Sequence, residues 1–360
     1  MDVNQFGRIV EENGGVGMNA FTSMDETAYF YSMPSNRVEL WAYLESERFL
    51  KPVFREFYKE RDVVTEERRM RTESNPIGRM VEQFLAASFE AHPYHHPGLG
   101  WPSELNSFSA TDAQQFYNKY YVPANMVIGV VGDVKRAEVM PILEKYFSRL
   151  PNRPGPPPLR TIEPAQKAER TVIMRETSQP FYLEGYHRPS AKDPDDAVYD
   201  AISDLLSDGR TSRLYRALVR DKKIAPFAQG FNGFPGKKYP HLFAFFSLPV
   251  PGHTTAEIRD AIHEEIEKVK TQDVSDEELQ MIKKRAKASL LRSLGDNEGL
   301  ANNLVTAQSL FGDWREVFRN VDRIDKVSKA DIRRVASKTF VPTNRTIAYV
   351  ENSAAAQGGK

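Results

Sequence analysis

Apolar and polar positions change period along this chain, and the changes mark its elements. Residues 17–33, GMNAFTSMDETAYFYSM, alternate on either side of a polar turn at Ser23 to Glu26, which predicts a β-hairpin. Just before it, Val3, Phe6, Ile9 and Val10 fall on one side of a short amphipathic helix that Gly14 and Gly15 end. Longer helical patterns follow at 37–49, 52–71 and 77–89. In the second half, 195–223 and 275–311 read as helical, whereas FYLEGYHRP (181–189) and HLFAFFSLPV (241–250) read as strands.

Two stretches repeat one pattern. FSATDAQQFYNKYYVPANMVIGVVGD (108–133) aligns without gaps to VSKADIRRVASKTFVPTNRTIAYVEN (327–352), with Tyr121 matching Phe340. Each copy reads as a capped helix, a proline-containing turn and an alternating β-strand. Copies near the ends of two halves point to an internal duplication. Between the halves, residues 150–170 hold six prolines (Pro151, Pro154, Pro156, Pro157, Pro158 and Pro164), a density that favours extended chain. The expected architecture is therefore α+β: two duplicated domains, each a mostly antiparallel sheet flanked by helices, related by a pseudo-two-fold. The first domain covers 1–150, a proline-rich linker 151–170, the second domain 171–352 and a flexible tail 353–360.

Composition narrows the functional classes. A 360-residue chain is long for one core. Lys+Arg and Asp+Glu are equal at 49 each, which argues against nucleic-acid binding by bulk charge. No apolar run approaches membrane-spanning length. The absence of cysteine removes thiolate metal sites and cysteine nucleophiles, and leaves the compartment, cytoplasmic or periplasmic, open. The N-terminus lacks the basic flank and apolar core of a signal peptide, and any such segment would lie before Met1.

Candidate chemistry is sparse. HPYHHP brings His92, His95 and His96 together, but Pro93 and Pro97 break any helix that could align them as ligands, so it reads as a surface loop. His187, His241, His253 and His263 are scattered, and no nucleophile elbow or phosphate loop occurs. KERDVVTEERRMRTE (59–73) is more informative. On a helix, Glu60, Val63, Val64, Glu67 and Met70 share a face, which sets two carboxylates on an apolar stripe where burial is costly without partners. Spacing alone leaves two readings: an inter-helix network with arginines, or a site.

Glu60 and Glu67 within ERDVVTEE, preceded by NAFTSMDETAYFYSMP, resemble the pitrilysin/insulinase family of zinc metallopeptidases, especially its members like the mitochondrial processing peptidase. The likeness continues through HPYHHPGLGWPSEL, YYVPANMVIGVVGDV, LLSDGRTSRLYRALV and VSKADIRRVASKTFVPTNRTI, over nearly the whole chain. It implies two α+β halves enclosing a chamber for unfolded peptides. It also implies zinc held by the histidines of a His-x-x-Glu-His motif and by a glutamate on a later helix, the motif's glutamate acting as base. By position, Glu67 matches that third zinc ligand. Glu60 matches the supporting catalytic carboxylate that orients a histidine ligand. Asn19, Ala20, Phe21 and Thr22 match the edge strand that pairs with substrate backbone.

This sequence departs from the pattern in two places. No His-x-x-Glu-His occurs in the 360 residues, and the family's order would put it just before Met1. The chain is thus expected to lack a first segment, to bind zinc poorly and to be inactive alone. The alternative is a non-catalytic peptide-binding or partner subunit, in a homodimer or in a heterodimer with a related subunit. Family members also often carry a tyrosine after the RLYRALV helix; here Pro226 and Phe227 stand near that place, without a hydroxyl.

Overall fold

The computed structural model describes residues 4–352, so Val3 and the tail at 353–360 lie outside the described residues. The fold is mixed α+β, with two sheets among the described residues. Its two compact units are both discontinuous. One comprises Met1–Thr65, Trp101–Arg160 and Leu291–Val317; the other comprises Glu66–Gly100, Thr161–Leu290 and Phe318–Lys360.

In the first unit, β1 (Val16–Thr22) and β2 (Thr27–Ser32) form the expected antiparallel hairpin. Ser23 builds its turn: its N–H donates to the Glu26 carbonyl at 2.8 Å, and its Oγ accepts from the Asp25 and Glu26 N–H groups. The helix Asn297–Phe311, from the second half of the sequence, packs on β2, and Thr306 Oγ1 donates to Glu26 at 2.8 Å. The helix Val38–Leu50 joins Arg136–Phe147 through Trp41 on Phe147 and Arg149 on Glu47.

The second unit holds a five-stranded sheet, β3 (Arg170–Glu176), β4 (Tyr182–Arg188), β5 (Ala228–Phe234), β6 (His241–Ser247) and β7 (Arg345–Asn352), in the order β3-β7-β4-β6-β5. Only β3 and β7 run parallel. Helices on both faces bury β4 at six of its seven positions, and His187 is half-buried. Tyr186 turns toward Phe340 of the helix Lys329–Thr339's C-cap, and Glu184 toward His263 of Thr255–Thr271. Gly185 turns the other way, onto the helix Pro76–Ser88: a Cβ there would stand 2.8 Å from the Phe84 ring. Helices therefore cover both faces, and a first-half helix supplies one cover.

The repeat is visible in local geometry. Ser109 and Ser328 each cap their helix through a box with Asp112 and Asp331. The helices end alike, with φ −90° and ψ 67° at Tyr121 and −86° and 66° at Phe340. A short 3₁₀ turn follows each, at Pro123–Asn125 and Pro342–Asn344. Then the copies part. The second enters β7 between β3 and β4, but the strand expected after Asn125 is absent, and residues 126–131 join no sheet among the described residues. Apolar alternation gives a segment the capacity to pair, and no described strand lies beside this one to complete a ladder.

Other boundaries shift for local reasons. The helix expected at 52–71 is Phe57–Arg68, because Glu56 adopts a left-handed φ of 56°; a π-turn, Arg69–Glu73, continues it. The helix expected at 275–311 is two, Asp276–Ser293 and Asn297–Phe311, with Asp296 capping the second through the Glu298 and Gly299 N–H groups.

Candidate functional site

Asn19, Ala20, Phe21 and Thr22 lie together on β1, the edge of a two-stranded sheet, and every residue of that strand is exposed. Asn19 stands opposite Phe30, Ala20 opposite Tyr29 and Phe21 opposite Ala28. Beneath the hairpin, the Arg48 guanidinium lies 4.2 Å from the Tyr29 ring centre, and Tyr29 shares a 2.8 Å hydroxyl hydrogen bond with Tyr121. Only one side of β1 is paired among the described residues.

Glu60 and Glu67 both lie on the helix Phe57–Arg68, but the stripe they share is not buried. Val63 and Met70 are 55% and 63% exposed, and Glu60 is exposed. The charge this helix buries is Arg68, whose guanidinium stands 2.8 Å from Glu82. Sparse apolar residues among many charges therefore mark an open face, and the expected burial cost of two carboxylates does not arise. Glu67 is half-exposed and pairs with Arg71 one turn along, at 3.0 Å.

Zinc sites draw on three or four protein ligands. Among the described residues, no three His, Asp or Glu side chains converge in a way that could hold a metal ion. The residues present therefore do not fit a zinc site. We expect the purified 360-residue chain to contain far less than one zinc per molecule by elemental analysis. Near-stoichiometric zinc that disappears in Glu67→Ala would contradict this.

The histidine loop is not wholly at the surface: Pro93 is exposed, and His95 and His96 are half-buried. His92 is 2% exposed and Tyr94 is buried, because Phe89 and Tyr239 close over them. Proline had marked a break in helix, not exposure. Sequence reasoning also passed over two buried polar clusters. Glu184 accepts hydrogen bonds from Tyr182 and His263, both at 2.7 Å. Arg188 ion-pairs with Asp196 at 2.7 Å, bonds Asn232 and lies 3.9 Å from the Tyr199 ring centre. Burial, then the neighbouring Asp200, pushes Asp196 up to about 6. Alternating strand residues could have placed Glu184 and Arg188 on one face; nothing in the sequence named their partners. Phe227 is half-buried and stacks toward Phe246, 5.5 Å between centres.

The mixed α+β fold presents one exposed edge strand, β1, whose described pairing is with β2 alone. Comparison with known proteins gives the family. The family described as the peptidase M16 inactive domain matches residues 107–286. The zinc protease PqqE of Helicobacter pylori is 31% identical over 365 residues, covering 98% of this chain and 80% of the relative. A crystal structure of a protease from Helicobacter pylori superposes with a TM-score of 0.91 at 28% identity, over 96% of this chain and 84% of the other. The M16 inactive domain from Pseudomonas fluorescens gives 0.84 at 18% identity, over 98% and 84%. The chain belongs to the M16, or pitrilysin/insulinase, family. No helix among the described residues is long and apolar enough to cross a membrane.

Proposed function

We propose that this chain is the peptide-holding part of an M16-type zinc metallopeptidase, not a complete catalyst. The observation that carries the reading is β1: seven exposed residues, paired on one side only. An extended peptide adds to such an edge through backbone hydrogen bonds, which bind unfolded chains with little regard to sequence. Asn19 to Thr22 supply those groups.

Glu67 is the chain's one contribution to zinc, with Glu60 as the carboxylate that orients a histidine ligand. The histidines themselves would come from residues outside these 360, whether on the same polypeptide or on a related subunit in a dimer. For Glu67 to serve, its carboxylate must leave Arg71, an exposed pair worth little.

Docking on β1 is tested with Ala20→Pro, which deletes one N–H on an edge strand where proline is tolerated. A fluorescent peptide of about ten residues, alternating valine and serine to favour extended backbone, is the probe. The proline ring also puts a carbon at the edge where the peptide carbonyl would sit, and this block is expected to weaken binding roughly fivefold. Unchanged affinity would show that the peptide docks elsewhere.

A further inference from the structure

Edge strands invite unwanted pairing, and proteins blunt them with local devices. β1 carries one that its exposure alone does not reveal. The Ala20 N–H donates to the side-chain Oδ1 of its own neighbour, Asn19, at 2.8 Å. In an antiparallel pair, residues alternate between exchanging both backbone bonds with the partner strand and pointing both groups away from it. Ala20 stands opposite Tyr29, and its N–H is held by a side chain on its own strand. Ala20 therefore belongs to the outward-pointing set, with Asn19 and Phe21 turned to β2. The donor an arriving strand would need at the middle of β1 is already occupied.

Resting on the reading of β1 as the docking edge, we infer that Asn19 is a gate. Its carboxamide caps the Ala20 N–H while the edge is empty and must rotate off before a peptide can pair there. The device suits a short edge. Toward its start, β1 shifts register between Val16 and Asn19, around Gly17 with φ 68°, so regular pairing begins only at Asn19. Toward its end, Thr22 faces Thr27 at the turn. Between these limits, Ala20 is the central outward residue, and one side chain is enough to close it. The exchange is nearly balanced: the cap hydrogen bond is lost and the peptide carbonyl replaces it. Docking is then weak for a single strand and relies on several backbone contacts together, which disfavours accidental pairing of two copies along β1.

The gate is tested by pairing two measurements on the wild type, Asn19→Ala and Asn19→Asp. Hydrogen exchange of the Ala20 amide in the free protein reads the cap, and affinity for the valine–serine peptide reads the gate. Asn19→Ala is expected to speed Ala20 exchange and to tighten peptide binding roughly two- to tenfold, the worth of one hydrogen bond. Asn19→Asp keeps an acceptor in the same place and should retain slow exchange. Equal Ala20 exchange in the wild type and Asn19→Ala would overturn the cap. Faster exchange with equal or weaker peptide binding would overturn the gate, since the side chain then does not compete with the peptide. No peptide binding by any of the three proteins would instead overturn the docking reading, and the gate with it.

Discussion

Phe340→Ala is expected to destabilise the second unit by about 3–5 kcal/mol, the usual result of removing a fully buried aromatic ring. Phe340 is 2% exposed and meets Tyr186, Phe243 and Phe245 at 5.0, 5.3 and 5.9 Å between ring centres. These rings come from β4 and β6, so the cavity would open where helix meets sheet. Tyr121 occupies the matching place in the repeat and ends its helix with nearly the same dihedral angles. Its surroundings differ: it is half-buried, stacks on Tyr117 at 4.7 Å and shares its hydroxyl with Tyr29. Tyr121→Ala should cost about 2–3 kcal/mol, the ring contacts to Tyr117 and Phe49 and one hydrogen bond. Hydrogen exchange of the β4 and β6 amides reads the first variant, and that of the β1–β2 hairpin the second. Equal losses at the two positions would mean that the repeat's two environments do not differ as described.

That comparison also shows what could be read from the chain. The capping boxes at Ser109 and Ser328 were legible because all their parts lie within four residues. β6 was legible because a continuous apolar run between turn signals suits a strand buried on both faces, and β4 because its aromatic and aliphatic residues stand between Pro180 and Pro189. The segment 126–131 carries the same pattern as β7, yet a ladder is a property of two strands, and the sequence of one cannot say whether a neighbour is present. The same limit explains Pro76–Ser88. Its amphipathic pattern announced a helix with an apolar face, but not that Phe84 would lie against Gly185, far along the chain. For the candidate site, family resemblance picked out β1, Glu60 and Glu67 before any contact was known. It could not show that Glu67 pairs with Arg71 or that Asn19 covers Ala20, since both are choices of rotamer.

Acid should strain the second unit through His241, and the size of the effect follows from its isolation. His241 is 1% exposed and stands opposite Arg188 across the β4–β6 ladder. Its Nδ1 donates to the Tyr239 carbonyl at 2.8 Å, and its Nε2 is buried without a partner among the described residues. A proton on Nε2 would place a second buried cation beside the guanidinium. Burial first, then Arg188, pushes His241 down from 6.5 to about 3. The unfolded chain takes up this proton first, so the stability His241 contributes is complete above pH 6.5 and is lost as pH falls from there toward 3. The slope is about 1.4 kcal/mol per pH unit, or roughly 2 kcal/mol between pH 6.5 and 5. His187, pushed down by its own burial, acts in the same direction. Asp196 acts in the opposite one. Its folded pKa of about 6 lies above the ordinary 3.8, so the folded state binds this proton first and gains stability as pH falls through 6. The two slopes meet at Arg188 and partly cancel below pH 6 in the wild type. His241→Asn, which keeps a donor for the Tyr239 carbonyl, should flatten or reverse the loss between pH 6.5 and 5. Asp196→Asn, although less stable at pH 7 because Arg188 loses its anion, should steepen it. Urea unfolding across that pH range measures both slopes, and parallel profiles for the wild type and His241→Asn would show that the imidazole does not remain neutral in the fold.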